Sequence, residues 1–441
     1  MAILKAVRGT RDLLPPETVL WNHVEATARA VFARYGFGEI RTPIFEDTAL
    51  FARGVGEETD IVSKEMYTWE DRVRADSDSA QSLTLRPENT AGVVRAYIEH
   101  KLADSGMLQK LFYIGPQFRR ERPQRGRYRQ FWQIGAEVLG PAWSGSDSPL
   151  RDAEVLEMLS TFLNELGVKG WKLEVNSVGS STDRPRYVAA LREALAPVKE
   201  RMSADNQRRA ETNPLRVLDS KDAGDQEIIE GLPKIADFLD DASKEHFAQV
   251  LAALDVCGVA YTVNPRLVRG LDYYTRTTFE FTVPDGSGLG TQNALLGGGR
   301  YDGLSEMLGG PKAPGIGFAI GEDRLILTLE SQLEASRENP IGRFAELQSR
   351  KMDAFLAPMG IAQNAAALLL AKELRAEGLA IEVGDGSFRL KKSFEAADKL
   401  ARRMVILGED EIASGILTVK DFSAGEQTKV PRAELAVALK K

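Results

Sequence analysis

The chain has 441 residues, of which 43% are hydrophobic and 27% are charged, and its formal net charge is −7. These proportions are those of a folded globular protein, and they exclude a polycation that binds nucleic acid over its whole surface. The length predicts two to four domains. The single cysteine, Cys257, excludes a disulfide framework, and its apolar neighbours predict a buried thiol.

No targeting or membrane-spanning segment is recognisable. The first residues, MAILKAVRGTRDLLPPE, lack the long apolar stretch of a signal peptide, and no apolar run reaches membrane-spanning length. We therefore expect a cytoplasmic protein that does not enter a membrane. His23, His100 and His246 are widely spaced and are expected on helix surfaces, so no histidine-based metal site is expected and no side chain is assigned to a metal.

Hydrophobic patterns along the first hundred residues predict two helices and several short strands. The predicted elements are helices over residues 17–35 and 90–100 and strands over residues 36–46, 64–69 and 82–85. Gly36 is expected to end the first helix. Pro43 interrupts the strand over residues 36–46, because proline has no backbone N–H to donate to a sheet.

Residues 118–132, FRRERPQRGRYRQFW, contain six arginines and one glutamate. Apolar runs flank this stretch, so a long β-hairpin with a cationic tip is predicted over residues 108–140. A solvated basic loop is the alternative. Arg119 and Glu121 stand two residues apart, so on an extended strand they face the same side and present a cation beside an anion. Guanidinium groups suit phosphate and carboxylate oxygens, which they can bind through two hydrogen bonds at once.

The later sequence predicts further parts of a mixed α/β chain. These are a helix over residues 151–166, a strand over 171–175, a mostly helical module over 182–256, strands within 264–283 and 314–320, a helix to 329, a linker helix or hinge over 331–350 and a separate unit over 351–441. The β-α-β-α-β order of the last unit indicates a small α/β domain with a mostly parallel sheet. Neither GGGRYDG nor GIGFAIG has the spacing of a dinucleotide-binding motif. We interpret these glycines as keeping the strand surface low, so that a flat ring can lie on the sheet.

The polar side chains that stand out combine three kinds of chemistry. Arginines can bind phosphates, carboxylates can bind cationic or N–H groups, and hydroxyls give directional contacts: Arg119, Arg269, Arg324; Glu88, Glu121, Glu137; Thr90, Tyr273, Tyr274. No Ser-His-Asp set accompanies them, so the pattern favours phosphoryl or nucleotidyl transfer, in which the protein positions reactants and neutralises developing charge. Glu88 has an alternative interpretation, since the helix dipole also favours a glutamate in a first turn.

Several motifs resemble those of a known family. GFGEIRTPIFE, FRRERPQRGRYRQFWQIGAEV and GIGFAIGEDRL are similar to the three motifs of class II aminoacyl-tRNA synthetases. LVRGLDYYTRTTFEF (residues 267–281) and LLGGGRYDGL (residues 295–304) resemble motifs specific to bacterial histidyl-tRNA synthetases. LRPENT resembles the family's LRPEGT, with Asn89 in place of the usual glycine. The resemblance covers essentially the whole chain.

The resemblance implies a fold and an order of domains. The expected fold is an α+β class II catalytic core, an antiparallel sheet flanked by helices, with a helical insertion and a C-terminal α/β anticodon-binding domain. The implied boundaries are residues 1–180 for the first part of the core, 181–256 for the insertion, 257–332 for the second part of the core, 333–350 for a linker and 351–441 for the anticodon-binding domain. The segment around Pro43 lies at the dimer interface in the family, so a homodimer is implied.

The resemblance also implies site residues. The implied catalytic residues are Arg269 and Arg119. The implied histidine-binding residues are Glu88, Thr90, Arg119, Gln133, Glu137, Arg269, Tyr273 and Tyr274, of which Glu137 and Tyr274 would contact the imidazole. The implied ATP-binding residues are Arg119, Glu121, Arg127 and Arg324. The hairpin tip, residues 124–128, and the insertion are expected to meet the acceptor end of the tRNA.

The implied reaction is the ATP-dependent formation of histidyl-adenylate from L-histidine, followed by transfer of the histidyl group to the 3′ end of tRNA(His), with Mg²⁺ accompanying ATP. One alternative is a catalytically inactive paralogue, such as the regulatory subunit of ATP phosphoribosyltransferase. Such paralogues commonly lack the C-terminal domain and degrade the site motifs, whereas here both are present. A second alternative is a non-catalytic nucleic-acid-binding module, against which the acidic net charge argues.

Overall fold

The computed structural model describes residues 3–56, 59–72, 80–268, 273–284, 287–289, 293–335 and 351–440. The chain divides into two compact units, Met1–Pro340 and Ile341–Lys441. The first unit contains an eight-stranded and a three-stranded sheet, and the second contains a five-stranded sheet. Among the described residues, every helix is too short or too polar to cross a bilayer.

An eight-stranded sheet forms the centre of the first unit. Numbered in chain order and given in spatial order, its strands are β1 (Gly38–Glu39), β5 (Gln109–Phe118), β6 (Gln130–Leu139), β11 (Gly315–Gly321), β10 (Ala294–Arg300), β9 (Thr275–Thr282), β7 (Lys172–Ser177) and β8 (Tyr261–Val263). The five inner pairings are antiparallel, and the pairing at each edge is parallel. The smaller sheet has the order β2 (Phe45–Asp47), β4 (Ser82–Leu85) and β3 (Tyr67–Glu70). The predicted antiparallel core is confirmed.

Helices flank this sheet and fill the long connection between β7 and β8. They are α1 (Glu17–Arg34), α2 (Thr48–Val55), α3 (Thr90–Glu99), α4 (Pro149–Glu165), α5 (Asp183–Leu195), α6 (Ala204–Thr212), α7 (Leu215–Leu218), α8 (Gln226–Glu230), α9 (Asp241–Val256), α10 (Leu304–Met307) and α11 (Glu322–Ala335). Every residue between β7 and β8 is described, and that segment contains α5 to α9 and no strand. Apolar side chains from this segment, including Tyr187, Leu191 and Val217, pack into a core of their own.

The predicted hairpin is the longest pairing of the sheet. Strands β5 and β6 are paired in unbroken register from Gln109 opposite Leu139 to Phe118 opposite Gln130. Successive side chains of a strand point to opposite faces, so β6 divides its residues between two environments. Ile134, Ala136 and Val138 face one side, and Gln133 and Glu137 face the other.

The side of the sheet that carries Ala136 is covered by helices. Phe32 of α1 packs against Phe112 of β5, Phe318 of β11 and Phe162 of α4, with ring centroids 5.5 to 5.9 Å apart. Phe112 and Phe318 both stand opposite Ala136 in the sheet register. This aromatic cluster fixes α1 and α4 on one face, and it leaves the opposite face, with Gln133 and Glu137, for the polar site described below.

The second unit is an α/β domain. Its sheet has the order β13 (Ile381–Val383), β12 (Met352–Pro358), β14 (Ala401–Leu407), β15 (Ile416–Asp421) and β16 (Gln427–Pro431), and its helices are α12 (Asn364–Ala376), α13 (Leu390–Leu400), α14 (Glu409–Ser414) and α15 (Leu435–Lys440). Strand β12 is parallel to β13 and β14, whereas β15 is antiparallel to β14 and β16. The expected mostly parallel sheet is therefore wrong for its second half. The sequence of β16, QTKVP, is too polar to show a strand pattern.

Three local predictions are wrong, and a fourth is tested only in part. Residues 61–65 form a π-helix, so the strand predicted over residues 64–69 begins only at Tyr67. The predicted linker helix or hinge over residues 331–350 is helical as far as Ala335, where α11 ends, and residues 336–350 lie outside the described residues. Cys257 is exposed, because it caps the outward-facing end of α9. His246 is buried against Asp152, although the sequence predicted it on a helix surface.

Glu322 carries a carboxyl group that folding buries completely. Its side chain is 0% exposed at the start of α11, and neither oxygen has a hydrogen-bond partner among the described residues. Burial, reinforced by the nearby charges of Glu25 and Asp323, raises the pKa of Glu322 to about 9. The folded chain therefore holds a proton at Glu322 that an unfolded chain releases near pH 4.5.

We expect Glu322→Gln to flatten the dependence of stability on pH. Because the folded pKa is raised, this carboxyl destabilises the fold progressively as pH rises from about 4.5 to about 9, by at most about 1.4 kcal/mol per pH unit. The variant and the wild type should have similar free energies of unfolding in urea near pH 5, and the variant should be the more stable at pH 8.5. Parallel stability curves across this range would contradict the assignment.

Candidate active site

The polar face of the sheet carries a cavity of about 610 Å³. Five cationic side chains line it, together with four carboxylates: Arg119, Arg127, Arg209, Lys221 and Arg324; Glu121, Asp219, Glu280 and Asp323. Four of the sequence-predicted ATP-binding residues therefore lie around one space, and the predicted histidine-binding residue Gln133 also lines it. Arg119 and Arg127 both line this cavity, but the alternative of a solvated basic loop still describes Arg127, whose side chain is 43% exposed, better than Arg119, whose side chain is 22% exposed.

Arg119 is held at the base of the hairpin by the turn that precedes α3. Its Nε donates to the backbone oxygen of Pro87 at 2.9 Å, and its guanidinium lies 5.3 Å from the centroid of the Phe131 ring. Its Nη1 is 3.9 Å from Glu121 Oε1, and Glu121 Oε2 is 3.3 Å from Arg127 Nη1. The predicted pairing of a cation and an anion on one side of the strand is thus present, and it orients guanidinium groups toward the cavity.

Arg324 lies across the cavity near the start of α11. Burial, with a smaller contribution from the like charge of Arg127, lowers its pKa to about 10. Two guanidinium groups that oppose each other in a partly buried space favour an anion between them, because an anion offsets both their repulsion and their lost hydration. The position of Arg324 therefore suits a phosphate-bearing ligand.

Small residues keep the sheet surface low beneath the cavity. Gly297 of β10 stands opposite Ala319 of β11, Gly321 stands opposite Gln133 of β6, and all four line the cavity. Gly297 and Gly321 thus agree with the interpretation of an open strand surface. That interpretation is wrong for Gly299, Gly315 and Gly317, which face the packed side chains of Tyr274, Tyr301 and Glu137. At Gly297, Ala319 and Gly321 the small residues leave room for a flat ring to lie against the strands.

Farther along the same face, Glu137 sits in a separate buried cluster. Its side chain is 0% exposed, Thr90 Oγ1 donates to its Oε1 at 2.7 Å, and Tyr301 Oη donates to its Oε2 at 2.6 Å. Gly317 stands opposite Glu137 in β11, and a Cβ at Gly317 would lie 1.8 Å from Glu137 Oε2. A glycine is required there because the carboxylate occupies the space of a side chain.

Burial raises the pKa of Glu137 to about 8. The hydrogen bonds from Tyr301 and Thr90 oppose that rise, and the charge of Glu88 adds to it. A carboxyl group poised near neutral pH, with both oxygens fixed by hydroxyl donors, suits a ligand that can exchange a proton or present an N–H group. An imidazole has both properties.

Glu88 forms hydrogen bonds to the first turn of α3. Its Oε2 accepts from the backbone N–H of Thr90 at 2.7 Å, and its Oε1 accepts from that of Ala91 at 3.0 Å. The alternative interpretation of Glu88 as a helix-capping glutamate therefore describes its contacts in this structure, and its role as a substrate ligand stays a prediction. Asn89, which precedes α3, has φ −121°, so it adopts a backbone conformation open to any residue.

Four tyrosines surround Glu137. The ring of Tyr273 lies 4.8 Å from that of Tyr274 and 5.9 Å from that of Tyr301, measured between centroids. Burial, with the charge of Glu137, raises the pKa of Tyr113 and of Tyr301 well above the ordinary value, so both phenols stay protonated. Arg269, the remaining predicted site residue, lies outside the described residues.

Several residues of the site were missed from the sequence. Tyr301 could have been found, because it directly follows β10 within the motif LLGGGRYDGL. Arg209 and Lys221 carry no local signal, because only the fold brings α6 and the segment after α7 to the cavity.

Comparison with known proteins shows the family of this chain. A family model described as histidyl-tRNA synthetase matches residues 9–325, and a model described as anticodon binding domain matches residues 353–441. The chain belongs to the histidyl-tRNA synthetase family. The family's catalytic model thus includes the arginine-lined cavity and the Glu137 cluster.

Individual members of the family match the chain along nearly its whole length. A histidine–tRNA ligase of Koribacter versatilis is 66% identical over 98% of this chain and 95% of its own length. A histidine–tRNA ligase of Solibacter usitatus is 52% identical over 99% of both chains. The crystal structure of apo Staphylococcus aureus histidyl-tRNA synthetase superimposes with a TM-score of 0.78 at 36% identity and full coverage of both chains. The alternative of a regulatory paralogue is not favoured, since the matches span both the catalytic and the anticodon-binding regions.

Proposed function

We propose that this chain is a histidine–tRNA ligase that activates L-histidine with ATP and transfers the histidyl group to the 3′ end of tRNA(His). The observation that carries the proposal is the placement of two chemically different sites on one sheet face. Gln133 of β6 lines the arginine-rich cavity, and Glu137, four residues along the same strand, lies in the tyrosine cluster. A cavity whose arginines suit a triphosphate therefore adjoins a cluster that suits an N–H-bearing ring.

In the first step, a carboxylate oxygen of histidine attacks the α-phosphorus of ATP, forming histidyl-adenylate and releasing pyrophosphate. Arg119 and Arg269 are proposed to neutralise the charge that develops on the α-phosphate, with Arg119 held in place by Pro87 and Phe131. Arg127 and Arg324 are proposed to bind the phosphate chain or the base of ATP, and Glu121 to orient Arg127. The protein would then accelerate activation by positioning ATP and histidine and by neutralising the charge that develops on the α-phosphate.

Selection of histidine is proposed to take place around Glu137. Glu137 and Tyr274 would pair with the two imidazole nitrogens, with Tyr273 beside them, and Thr90 and Tyr301 hold the Glu137 carboxylate. An amino acid without two ring nitrogens would leave these buried polar groups unpaired, which disfavours its binding. Glu88 and Gln133 are proposed to bind the α-amino and carboxylate groups of the substrate.

In the second step, the 3′-terminal hydroxyl of the tRNA attacks the histidyl carbonyl, and AMP leaves. Residues 181–256 and the hairpin tip are proposed to meet the acceptor end, and residues 351–441 the anticodon. Residues 1–180 and 257–332 would form the catalytic core and 333–350 a linker. We further propose a homodimer through the segment around Pro43, and a cytoplasmic location.

Magnesium is proposed to enter with ATP. Among the described residues, no group of three or more histidine, cysteine or acidic side chains is arranged to hold a metal ion by itself. Mg²⁺ commonly uses one or two carboxylates together with substrate phosphates, and Glu121 and Glu280 at the cavity fit that arrangement. Bound there, the ion would neutralise part of the phosphate charge.

The proposal is tested by charging tRNA(His) with radiolabelled histidine in the presence of ATP and magnesium. We expect formation of histidyl-tRNA that depends on ATP. Lack of charging by a folded, dimeric preparation would overturn the proposal, provided that the same tRNA is charged by a known ligase.

Arg119→Ala is expected to lower the rate constant of histidine activation by roughly 100- to 1,000-fold, the usual loss on removing one charge-stabilising donor. Its hydrogen bond to Pro87 positions a turn rather than a core, so the thermal midpoint should change little. Single-turnover formation of the adenylate, measured by rapid quench, separates this effect from substrate binding. A variant with unchanged rate and raised KM for ATP would show that Arg119 only binds the nucleotide.

A further inference from the structure

The helical segment between β7 and β8 contributes side chains to the same cavity as the catalytic strands. Arg209 of α6, and Asp219, Ser220 and Lys221 after α7, line the cavity together with Arg324. Along the sequence, β7 and α5 lie between the hairpin arginines and these residues of the insertion. The cavity is therefore closed on one side by the inserted helices and on the other by the sheet.

The charge of the two sides differs. Among the described lining residues, the catalytic part contributes three arginines (Arg119, Arg127 and Arg324) and three carboxylates (Glu121, Glu280 and Asp323), which balance formally to zero. The inserted helices contribute Arg209 and Lys221 against a single carboxylate, Asp219. The formal surplus of positive charge among these residues thus comes from the insertion, and a triphosphate carries several negative charges that need such a surplus.

Arg209 is fixed in place by buried neighbours. Its Nη1 lies 3.2 Å from Asn206 Oδ1, and Asn206 Nδ2 donates to Asp225 Oδ2 at 2.6 Å. Asn206 and Asp225 are each 1% exposed, and the hydroxyl and the backbone N–H of Ser203 also donate to Asp225. Because the buried amide and carboxylate already orient this guanidinium, Arg209 loses less conformational freedom on binding a ligand than a solvated surface arginine does.

Arg208, the residue before Arg209, is a solvated arginine on the same helix. It pairs with Asp205 at 3.2 Å, with both side chains well exposed, and it does not line the cavity. Arg209 also acts on the catalytic part of the chain, because its charge contributes to lowering the pKa of Asp60, after the larger contribution of the Lys64 hydrogen bond. The residues from Asp60 to Glu65 adjoin the hairpin, where the N–H of Arg120 donates to the backbone oxygen of Glu65 at 2.7 Å.

We propose that Arg209 and Lys221 of the insertion bind the phosphate chain of ATP during histidine activation, so that the insertion completes the nucleotide site before any tRNA is present. The inference rests on the proposed function. The competing occupant of these two cations is the phosphate backbone of the tRNA acceptor end. If the two cations bind ATP, they are needed for histidine activation, which takes place without tRNA. If they bind the RNA, they are needed only when tRNA is present.

The test is histidine-dependent exchange of pyrophosphate into ATP in the absence of tRNA. We expect Arg209→Ala and Lys221→Ala each to raise the KM for ATP by roughly 10-fold or more, the loss of one charge-assisted hydrogen bond to phosphate. The KM for histidine should stay within about twofold of the wild type, because Glu137 does not line the cavity that Arg209 and Lys221 line. Arg208→Ala is the matched control and should leave both constants unchanged.

Two further measurements separate a loss of binding from a loss of folding. Arg209→Lys keeps the charge and should recover part of the ATP affinity, and thermal melting should show that each variant is folded. The salt dependence of the KM for ATP should be weaker in Arg209→Ala, since one charge contact is lost.

Unchanged KM for ATP in both alanine variants overturns the inference. If charging of tRNA(His) is then impaired, the two cations serve the RNA alone. If the wild type itself fails to exchange pyrophosphate with histidine, the proposed function fails with it, so the two failures are distinguishable.

Discussion

Glu137→Gln is expected to lower kcat/KM for histidine in the activation step by roughly 100-fold or more. Both carboxylate oxygens of Glu137 accept hydrogen bonds from hydroxyl groups, those of Thr90 and Tyr301. An amide has only one acceptor oxygen, so its NH₂ group would face one of these hydroxyls and could not accept from an imidazole N–H. The effect is large because the cluster is fully buried, so polar groups left unpaired there cannot form hydrogen bonds with water instead.

The control for this prediction is Tyr301→Phe. It removes one donor to Glu137 and leaves the carboxylate intact, so we expect a smaller loss of roughly 10-fold. The KM for ATP should change little in both variants, because Glu137 and Tyr301 do not line the arginine-rich cavity. If Glu137→Gln activates histidine within about twofold of the wild type, the imidazole site lies elsewhere.

Asp152→Asn is expected to lower the free energy of unfolding by about 3–5 kcal/mol. Arg300 at the end of β10 is 0% exposed, and its Nε donates to both Asp152 oxygens, at 3.1 and 3.2 Å. Asp152 on α4 is equally buried and also bonds to His246 Nε2 at 2.8 Å. Although burial alone would raise it, the charge of Arg300 keeps the pKa of Asp152 below its ordinary value. The asparagine variant would leave a buried guanidinium without its main counter-charge.

Urea unfolding of a double-mutant cycle measures this effect. The variant carrying both Asp152→Leu and Arg300→Met should be less destabilised than the sum of the two single variants, because it removes both charges together. Additive losses would show that the pair does not act as a unit. His246→Gln, which keeps a hydrogen-bonding side chain beside Asp152, should cost much less than Asp152→Asn.

The hairpin and the inner sheet could be predicted from sequence because their signals are local. Apolar alternation on both sides of a Pro- and Gly-containing loop indicates two paired strands, and the structure pairs Gln109–Phe118 with Gln130–Leu139 as expected. The same period of two places Gln133 and Glu137 on one face. Arg119 and Glu121 could be placed on the same side of the chain for the same reason.

Residues whose environment depends on distant parts of the chain could not be predicted. The partner of His246 is Asp152, 94 residues upstream, so no local pattern reveals that this histidine is buried. Cys257 has apolar neighbours, yet α9 ends there and Val256 is 89% exposed, so the apolar pattern does not continue into a core. Arg209 reaches the cavity only through the packing of the insertion. For Glu88 the sequence allowed two interpretations. Its hydrogen bonds to the backbone at the start of α3 agree with the interpretation that needs no ligand.

We propose that the tyrosine cluster around Glu137 selects histidine for activation at the adjacent arginine-lined cavity. The most direct measurement is ATP–pyrophosphate exchange by the wild type and by Glu137→Gln, with each of the standard amino acids supplied in turn. We expect exchange with histidine alone for the wild type, and loss of most of that exchange in the variant with the KM for ATP unchanged. Exchange by the wild type with another amino acid as efficient as with histidine, or an unimpaired variant, would contradict the claim.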